Sequence, residues 1–295
     1  MSESTVPKTT NPTTTQASPF SQSILVPKTR SPLMDFASLF GVLLAWGALF
    51  VALILEGGDL RSLIHLPAAI LVFGGTLGAG IMSFRSNQLV SIPSLLRKVF
   101  SEQRQDVADI VLMLTRFADK ARRSGLLSME RDVDQIEDSF LKQGLQLVMD
   151  GTDPEIIREI LTTDLQFEVM RHRNEESIFT TLGGFAPTLG IIGTVMGLIH
   201  MLSNLNDPGK MGPLIAGAFI ATLYGVASAN LVFLPISNKL RAIASEEHLV
   251  HEIILEGVLS IQAGNSPRVV EEKLKAFLAP RLRDAIAIPR GGRFQ

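Results

Sequence analysis

Four long apolar segments dominate the pattern of hydrophobic and polar positions along the chain. They run over residues 36–55, 66–84, 177–206 and 211–238 and contain no Asp, Glu, Lys or Arg. A bilayer core ~30 Å thick requires about 20 apolar helical residues, so each segment is long enough to cross it. Because a soluble fold rarely buries four such runs, we predict four membrane-spanning helices, the last two extending beyond the membrane.

The charged segments between and after these runs have the three- to four-residue periodicity of amphipathic helices. Asp153 followed by Pro154 is typical of a helix start, and no breaker occurs before Gly183. We therefore expect one helix to run from the charged segment into the third apolar run. Another amphipathic stretch is expected after Pro235, over 240–259. The stripe of the first amphipathic helix consists of Val107, Ile110, Val111, Leu114, Phe117 and Ala118.

These patterns divide an all-α, polytopic membrane protein into five parts. Residues 1–32 are rich in Ser, Thr, Pro, Gln and Asn and are expected to form a disordered tail. The first two spans lie in 33–84, and a helical domain follows in 85–176. The other two spans occupy 177–238, and 239–295 form C-terminal helices and a tail.

The basic residues predict the orientation of the spans. Residues 85–176 carry 13 of the 27 Lys and Arg, and the segment after Asn238 carries nine. The short connections between spans have only Arg61 and Lys210. Because cytoplasmic loops are enriched in Lys and Arg, we expect both termini and the central domain in the cytoplasm.

The remaining composition argues against an enzyme. The net charge of −2 gives no basic surface for nucleic acid, and the absence of cysteine excludes thiolate chemistry. Phosphate-loop, zinc-protease and nucleophile-elbow motifs are missing. His248 and His251 are expected on an exposed helix and are a poor candidate for a metal site. No cofactor is therefore expected, and the energy source is expected to be a transmembrane ion gradient.

Small and polar residues distinguish the third and fourth runs from simple lipid anchors. Thr188, Thr194, Thr222 and Tyr224 either bond within the bundle or line a partly hydrated path, with self-bonding to the helix backbone as the alternative for each Thr. No carboxylate lies among them, so a conducting site would need an ionisable group from a partner helix. The glycines expected to allow close helix packing are Gly190, Gly193, Gly197 and Gly225.

Two prolines interrupt the last two apolar runs near their charged ends. A proline removes a backbone hydrogen bond and bends a helix. Pro187 and Pro235 are therefore either packing kinks or hinges that couple the membrane to the charged domain, and the sequence geometry favours neither.

Three stretches resemble the MotA/TolQ/ExbB superfamily. They are Pro187 to Leu198 (PTLGIIGTVMGL), Ala221 to Gly225 (ATLYG) with the segment 230–239 that follows, and Arg122 to Glu130 (RRSGLLSME). The order of two spans, a long charged segment and two more spans is similar to that of MotA-type stators, whereas TolQ and ExbB have three spans. The resemblance covers about Pro32 to Pro280.

The resemblance implies a channel-forming stator subunit of the flagellar motor in the bacterial inner membrane. Such subunits form a pentamer around two single-span helices of a MotB-like partner, which brings the ion-binding Asp. Passage of protons or sodium ions then turns the pentamer against the rotor protein FliG. The alternative is a related energiser of another envelope or gliding machine.

The resemblance also assigns roles to individual residues. Arg122, Arg123 and Glu130 match the charged rotor contacts. Pro187 and Pro235 match prolines that couple ion flow to motion. Residues Thr194 and Thr222 match threonines near the ion site, and we include Tyr224 in the expected ion pathway.

Overall fold

A computed structural model describes residues 33–102, 107–278, 280 and 283. The predicted tail 1–32 thus lies outside the described residues. The described chain is almost entirely helical, in agreement with the all-α prediction. The exception is one antiparallel pair of two-residue strands, β1 (Leu33–Met34) and β2 (Ser101–Glu102).

Ten helices follow one another in the described residues. They are α1 Phe36–Leu55, α2 Leu66–Ser83, α3 Ser86–Val90, α4 Ile92–Phe100, α5 Val107–Ser124, α6 Glu130–Val133, α7 Ser139–Met149, α8 Pro154–Leu202, α9 Pro208–Gln262 and α10 Pro267–Lys275. Short 3₁₀ turns at Leu60–Leu63 and Leu126–Met129 precede α2 and α6.

Four of these helices, α1, α2, α8 and α9, are long and apolar enough to span a membrane. Helix α8 has 49 residues, which confirms that one helix continues from the charged segment into the third apolar run. Its start is capped as expected, because the Asp153 side chain accepts a hydrogen bond from the Glu155 N–H at 2.9 Å. The amphipathic stretch expected after Pro235 is a direct continuation of the fourth span, because α9 runs on to Gln262.

The two long helices pack antiparallel and carry the rest of the molecule. At their charged ends they join α5, α7 and α10 around one hydrophobic core, which we call the charged domain. Its fully buried side chains include Leu114, Phe117, Leu161 and Ile254. Deleting such a side chain down to Ala in a packed core costs roughly 2–5 kcal/mol.

The apolar halves of the helices are packed very differently from the charged domain. Helix α2 packs along α8, whereas α1 has no buried residue at all. Helix α1 makes few contacts with the rest of its chain, with the π-helical turn Ala229–Phe233, with α4 and with the turn Leu60–Leu63. The residue before it, Asp35, is bound by Lys239. The exposed apolar surface of α1 is compatible with contact to lipid or to a helix of a neighbouring molecule. Within the chain, α8 and α9 form the pair against which the other helices pack.

Candidate functional site

The seam between α8 and α9 is packed through small residues, and all four predicted packing glycines lie on it. A Cβ added to Gly190 would lie 2.9 Å from the Ala221 carbonyl oxygen. At Gly197 an added Cβ would come within 2.6 Å of the Ala218 Cβ. Gly193 faces Ala221, and Gly225 faces the Ala186 backbone. The helices therefore approach so closely that a side chain at these positions would push them apart.

The two predicted pathway threonines meet at this seam. The Thr194 hydroxyl is hydrogen-bonded to the Thr222 hydroxyl and lies 3.1 Å from the carbonyl oxygens of both Gly190 and Ala218. The Thr222 hydroxyl is 3.5 Å from the Gly190 carbonyl oxygen. Two hydroxyl and two carbonyl oxygens thus converge on one spot in the apolar half of the molecule. Oxygen ligands of this kind suit a hard cation or a hydrated proton.

Tyr224 is not brought to this pair. Its hydroxyl donates to the Leu63 carbonyl oxygen and accepts from the His65 N–H at 3.2 Å. Its ring stacks on Phe73 with 5.6 Å between centroids. Tyr224 thus binds the segment between α1 and α2 to α9. Its role in the ion pathway stays a prediction.

Both predicted hinge prolines lie within continuous helices and do not interrupt them. Pro187 is inside α8, and Pro235 follows a π-helical turn, Ala229–Phe233, within α9. A proline lacks the N–H that would bond the carbonyl four residues earlier, and a π turn shifts the hydrogen-bond register by one residue. Gly183, whose carbonyl lacks the N–H of Pro187, faces the end of the π turn, because an added Cβ there would lie 3.5 Å from the Phe233 Cβ.

The predicted rotor-contact residues lie on one exposed edge of the charged domain. Arg122 and Arg123 end α5, Glu130 begins α6, and all three are exposed. Between them Gly125 adopts a φ of 84°, a conformation that favours glycine and sharply turns the chain. Two ion pairs hold this edge, Asp119–Arg123 and Lys120–Asp132, the latter at 2.5 Å. The side chain of Met129 anchors it in the core, where it is fully buried.

A network of charged side chains links α8 and α9 in the charged domain, and the sequence analysis missed it. His251 Nδ1 lies 2.6 Å from a Glu168 carboxylate oxygen, and its Nε2 lies 3.7 Å from Asp138. The expectation that His251 is exposed is therefore wrong. Burial lowers the pKa of His251, but Asp138 and Glu168 outweigh this effect and raise the pKa to about 9.

Among the described residues, one group of three possible metal ligands has all its donor atoms close together, and it belongs to the same network. Donor atoms of Glu168, His172 and Glu247 lie within 4.8 Å of one another. However, Glu247 already pairs with Lys98 at 2.9 Å, and Glu168 with the protonated His251. Each carboxylate thus has its own cation, and we interpret the trio as part of an ion-pair network.

Two further ion pairs lie where the apolar and charged halves meet. Lys239 binds the Asp35 carboxylate at 2.5 Å, which holds the pKa of Asp35 well below its usual range. Arg241 binds Glu176, and one turn nearer the apolar half the Thr180 and Ser237 hydroxyls are 2.7 Å apart. These partners are far apart in sequence, so no local pattern could have revealed them.

Comparisons with known proteins agree with this architecture. A family model described as Motility protein A N-terminal matches residues 39–125, and the model of the MotA/TolQ/ExbB proton channel family matches 132–253. The second match includes both Thr194 and Thr222.

Individual relatives match over most of the chain. Motility protein A of Bacillus subtilis (strain 168) is 36% identical over 251 residues, which cover 85% of this chain and 93% of the relative. Motility protein A of Borreliella burgdorferi is 37% identical over 259 residues, covering 88% and 100%. A chain of the flagellar MotAB stator complex from Bacillus subtilis superposes with a TM-score of 0.81 at 36% identity, covering 86% of this chain and all of that chain.

Proposed function

Because the chain belongs to the MotA/TolQ/ExbB proton channel family and is a stator channel subunit of the flagellar motor, we propose that its α8–α9 seam forms the wall of a shared ion pathway. It is an inner-membrane channel component and not an enzyme. The ionisable group of this pathway comes from a MotB-like partner, in keeping with the MotAB composition of the similar solved complexes.

One observation carries this proposal. The Thr194–Thr222 pair gathers four oxygens in the apolar half, yet the four apolar runs contain no Asp, Glu, Lys or Arg. Hydroxyls and carbonyls can solvate a passing ion, but they do not take up and release a proton near neutral pH. A carboxylate on a neighbouring helix would complete the site.

For the assembly we propose what the family resemblance and the distribution of basic residues imply. Five copies surround two partner helices, both termini and the charged domain face the cytoplasm, and the edge with Arg122, Arg123 and Glu130 contacts FliG. Exposed charges at such an edge contribute little to stability but direct encounter and register. Pro187 and Pro235, beside the π turn of α9, allow the two long helices to bend when the ion passes.

Co-purification with the partner and mass measurement of the complex test this assembly. We expect five copies of this chain with two copies of a single-span protein. A complex without any partner, or a monomer, would refute the shared pathway.

Substitution of Thr222 tests the hydroxyl pair itself. Thr222→Val keeps the shape but removes the hydroxyl, so we expect swimming speed to fall at least severalfold. Thr222→Ser keeps the hydroxyl and serves as the matched control, with speed near that of the unmodified protein. Equal speeds for both variants, at equal protein levels, would show that the hydroxyl has no part in conduction.

The family resemblance implies that the conducted ion is a proton or a sodium ion, and the oxygens of the Thr194–Thr222 pair suit both. Swimming speed measured against sodium concentration at fixed pH separates the two. A speed that rises with sodium identifies a sodium pathway, and a speed independent of sodium identifies a proton pathway.

A further inference from the structure

The exposed edge that carries Arg122, Arg123 and Glu130 also presents one large apolar side chain, for which a contact made by charges alone does not account. Leu127 lies in the 3₁₀ turn between α5 and α6 and is 74% exposed. It is the most exposed of the large apolar side chains that the structure describes in the charged domain. Single exposed leucines are common on protein surfaces, so the exposure of Leu127 gains meaning only from the way in which its turn is held.

The backbone of this turn is fixed on both sides of Leu127. Before it, Gly125 has a φ of 84° and donates its N–H to the Ala121 carbonyl oxygen at 2.9 Å. After it, the Ser128 hydroxyl donates to the Gly125 carbonyl oxygen at 2.6 Å, and the Met129 side chain is fully buried. The turn therefore holds the Leu127 side chain in solvent in a preorganised position, and little backbone entropy is lost when a partner covers it.

Charged side chains flank Leu127 on the same edge. Arg122 and Arg123 end α5 before the turn, and Glu130 and Arg131 begin α6 after it. All four are exposed. An apolar contact with charged groups around it is the usual arrangement at the centre and rim of a protein–protein interface. The edge therefore has the composition of a docking surface for a protein.

We propose that Leu127 inserts into an apolar pocket of the rotor protein, with acidic groups of that protein facing Arg122 and a basic group facing Glu130. This inference rests on the rotor contact proposed above, because Leu127 lies on the turn that joins the residues assigned to that contact. Burial of a leucine removes apolar surface from water, whereas exposed ion pairs gain little. Leu127 therefore supplies affinity, and the charges direct encounter and register.

Binding of purified FliG to the purified complex of this chain with its partner, at low and at high salt, tests the proposal. Leu127→Ser should weaken binding about tenfold at both salt concentrations, because salt does not screen an apolar contact. Arg122→Glu should weaken binding chiefly at low salt, because its contact is electrostatic. Leu127→Met is the matched control, since it keeps an apolar side chain of similar volume and should bind nearly as well as the unmodified protein.

Swimming speed should fall severalfold in Leu127→Ser, while the yield and the midpoint temperature of the complex stay unchanged because the side chain is exposed. A loss in Leu127→Met equal to that in Leu127→Ser would overturn the apolar contact. A reduced yield of the complex in Leu127→Ser would assign the side chain to a contact between copies and overturn it as well. If Arg122→Glu slows swimming and Leu127→Ser does not, the apolar contact is refuted and the charged contact stands. If neither variant slows swimming, the rotor contact at this edge is itself refuted.

Discussion

Replacing His251 by Gln removes a cation that contacts both Glu168 and Asp138. The His251 ring is stacked on Phe140 and only 17% of the side chain is exposed. In the folded chain its pKa is raised to about 9, against about 6.5 for a free histidine. Each pKa unit corresponds to about 1.4 kcal/mol, so proton binding favours the folded state by on the order of 3 kcal/mol.

The direction of the pH dependence follows from this raised pKa. A group with a raised folded-state pKa gives its full stabilisation below the unfolded value and loses it as the pH passes the folded value. The His251 contribution is therefore complete below about pH 6.5 and lost as the pH rises through about 9. The carboxylates of Glu168 and Asp138 then remain without their shared cation.

Thermal denaturation of the purified complex between pH 6.5 and 9.5 measures this effect. For a chain of this size, about 3 kcal/mol corresponds to roughly 5–10 °C in the midpoint temperature. We expect the unmodified protein to lose that amount across the range, and His251→Gln to begin lower and show a flatter profile.

His248→Gln is the control for the pH profile. His248 is one turn earlier on α9, and its side chain is 39% exposed beside Glu252. This variant should keep the slope of the unmodified protein. Parallel profiles for His251→Gln and the unmodified protein would refute the reasoning, because the pH dependence would then belong to other groups.

Three further predictions concern the seam, the boundary pair and the exposed edge. Gly193→Val should reduce the yield of assembled complex severalfold on size-exclusion chromatography, because its first added carbon would already lie 2.6 Å from the Ala221 Cβ. Lys239→Met should lower the midpoint temperature by several degrees by leaving the buried Asp35 carboxylate unpaired, and Asp35→Asn in the same chain should restore part of the loss. Arg122→Glu should slow swimming while leaving complex yield unchanged, since Arg122 is exposed.

The sequence predicted what depends on local pattern. The length of the four runs without charged residues predicted the four spans. The sequence Asp153–Pro154 predicted the start of the long helix α8. These predictions succeed because helix length and capping are determined within a few residues of the chain. Thr194 and Thr222 came from the family resemblance. They are hydrogen-bonded to each other, and their role in ion passage stays a prediction.

Long-range pairings could not be predicted in this way. Asp35 and Lys239 are 204 positions apart, and His251 meets Asp138 and Glu168 from different helices. On an isolated α9, His251 belongs to a polar stripe and is indistinguishable from an exposed residue. The antiparallel register of α8 and α9 brings Glu168 to His251, whereas Asp138 comes from the start of α7 and Asp35 from the start of α1.

The same register places irregular stretches of the two long helices at one level. The hydroxyl pairs Thr194–Thr222 and Thr180–Ser237 connect α8 and α9 at two levels. Between these levels α8 advances fourteen residues, from 180 to 194, whereas α9 advances fifteen, from 222 to 237. The π turn Ala229–Phe233 accommodates the additional residue.

Pro187 and Pro235 lie within this same interval, so both helices lack a backbone hydrogen bond there. Ion pairs and the hydrophobic core hold the charged ends together below this interval, and the Gly197–Ala218 contact lies above it. The close contacts of Gly190, Gly193 and Gly225 lie inside the interval, in its apolar half. We therefore propose that bending of either helix is concentrated between the Thr180–Ser237 pair and the Gly225–Ala186 contact, where the π turn lies. A displacement at Thr194 and Thr222 would reach the charged domain as a rotation about this interval.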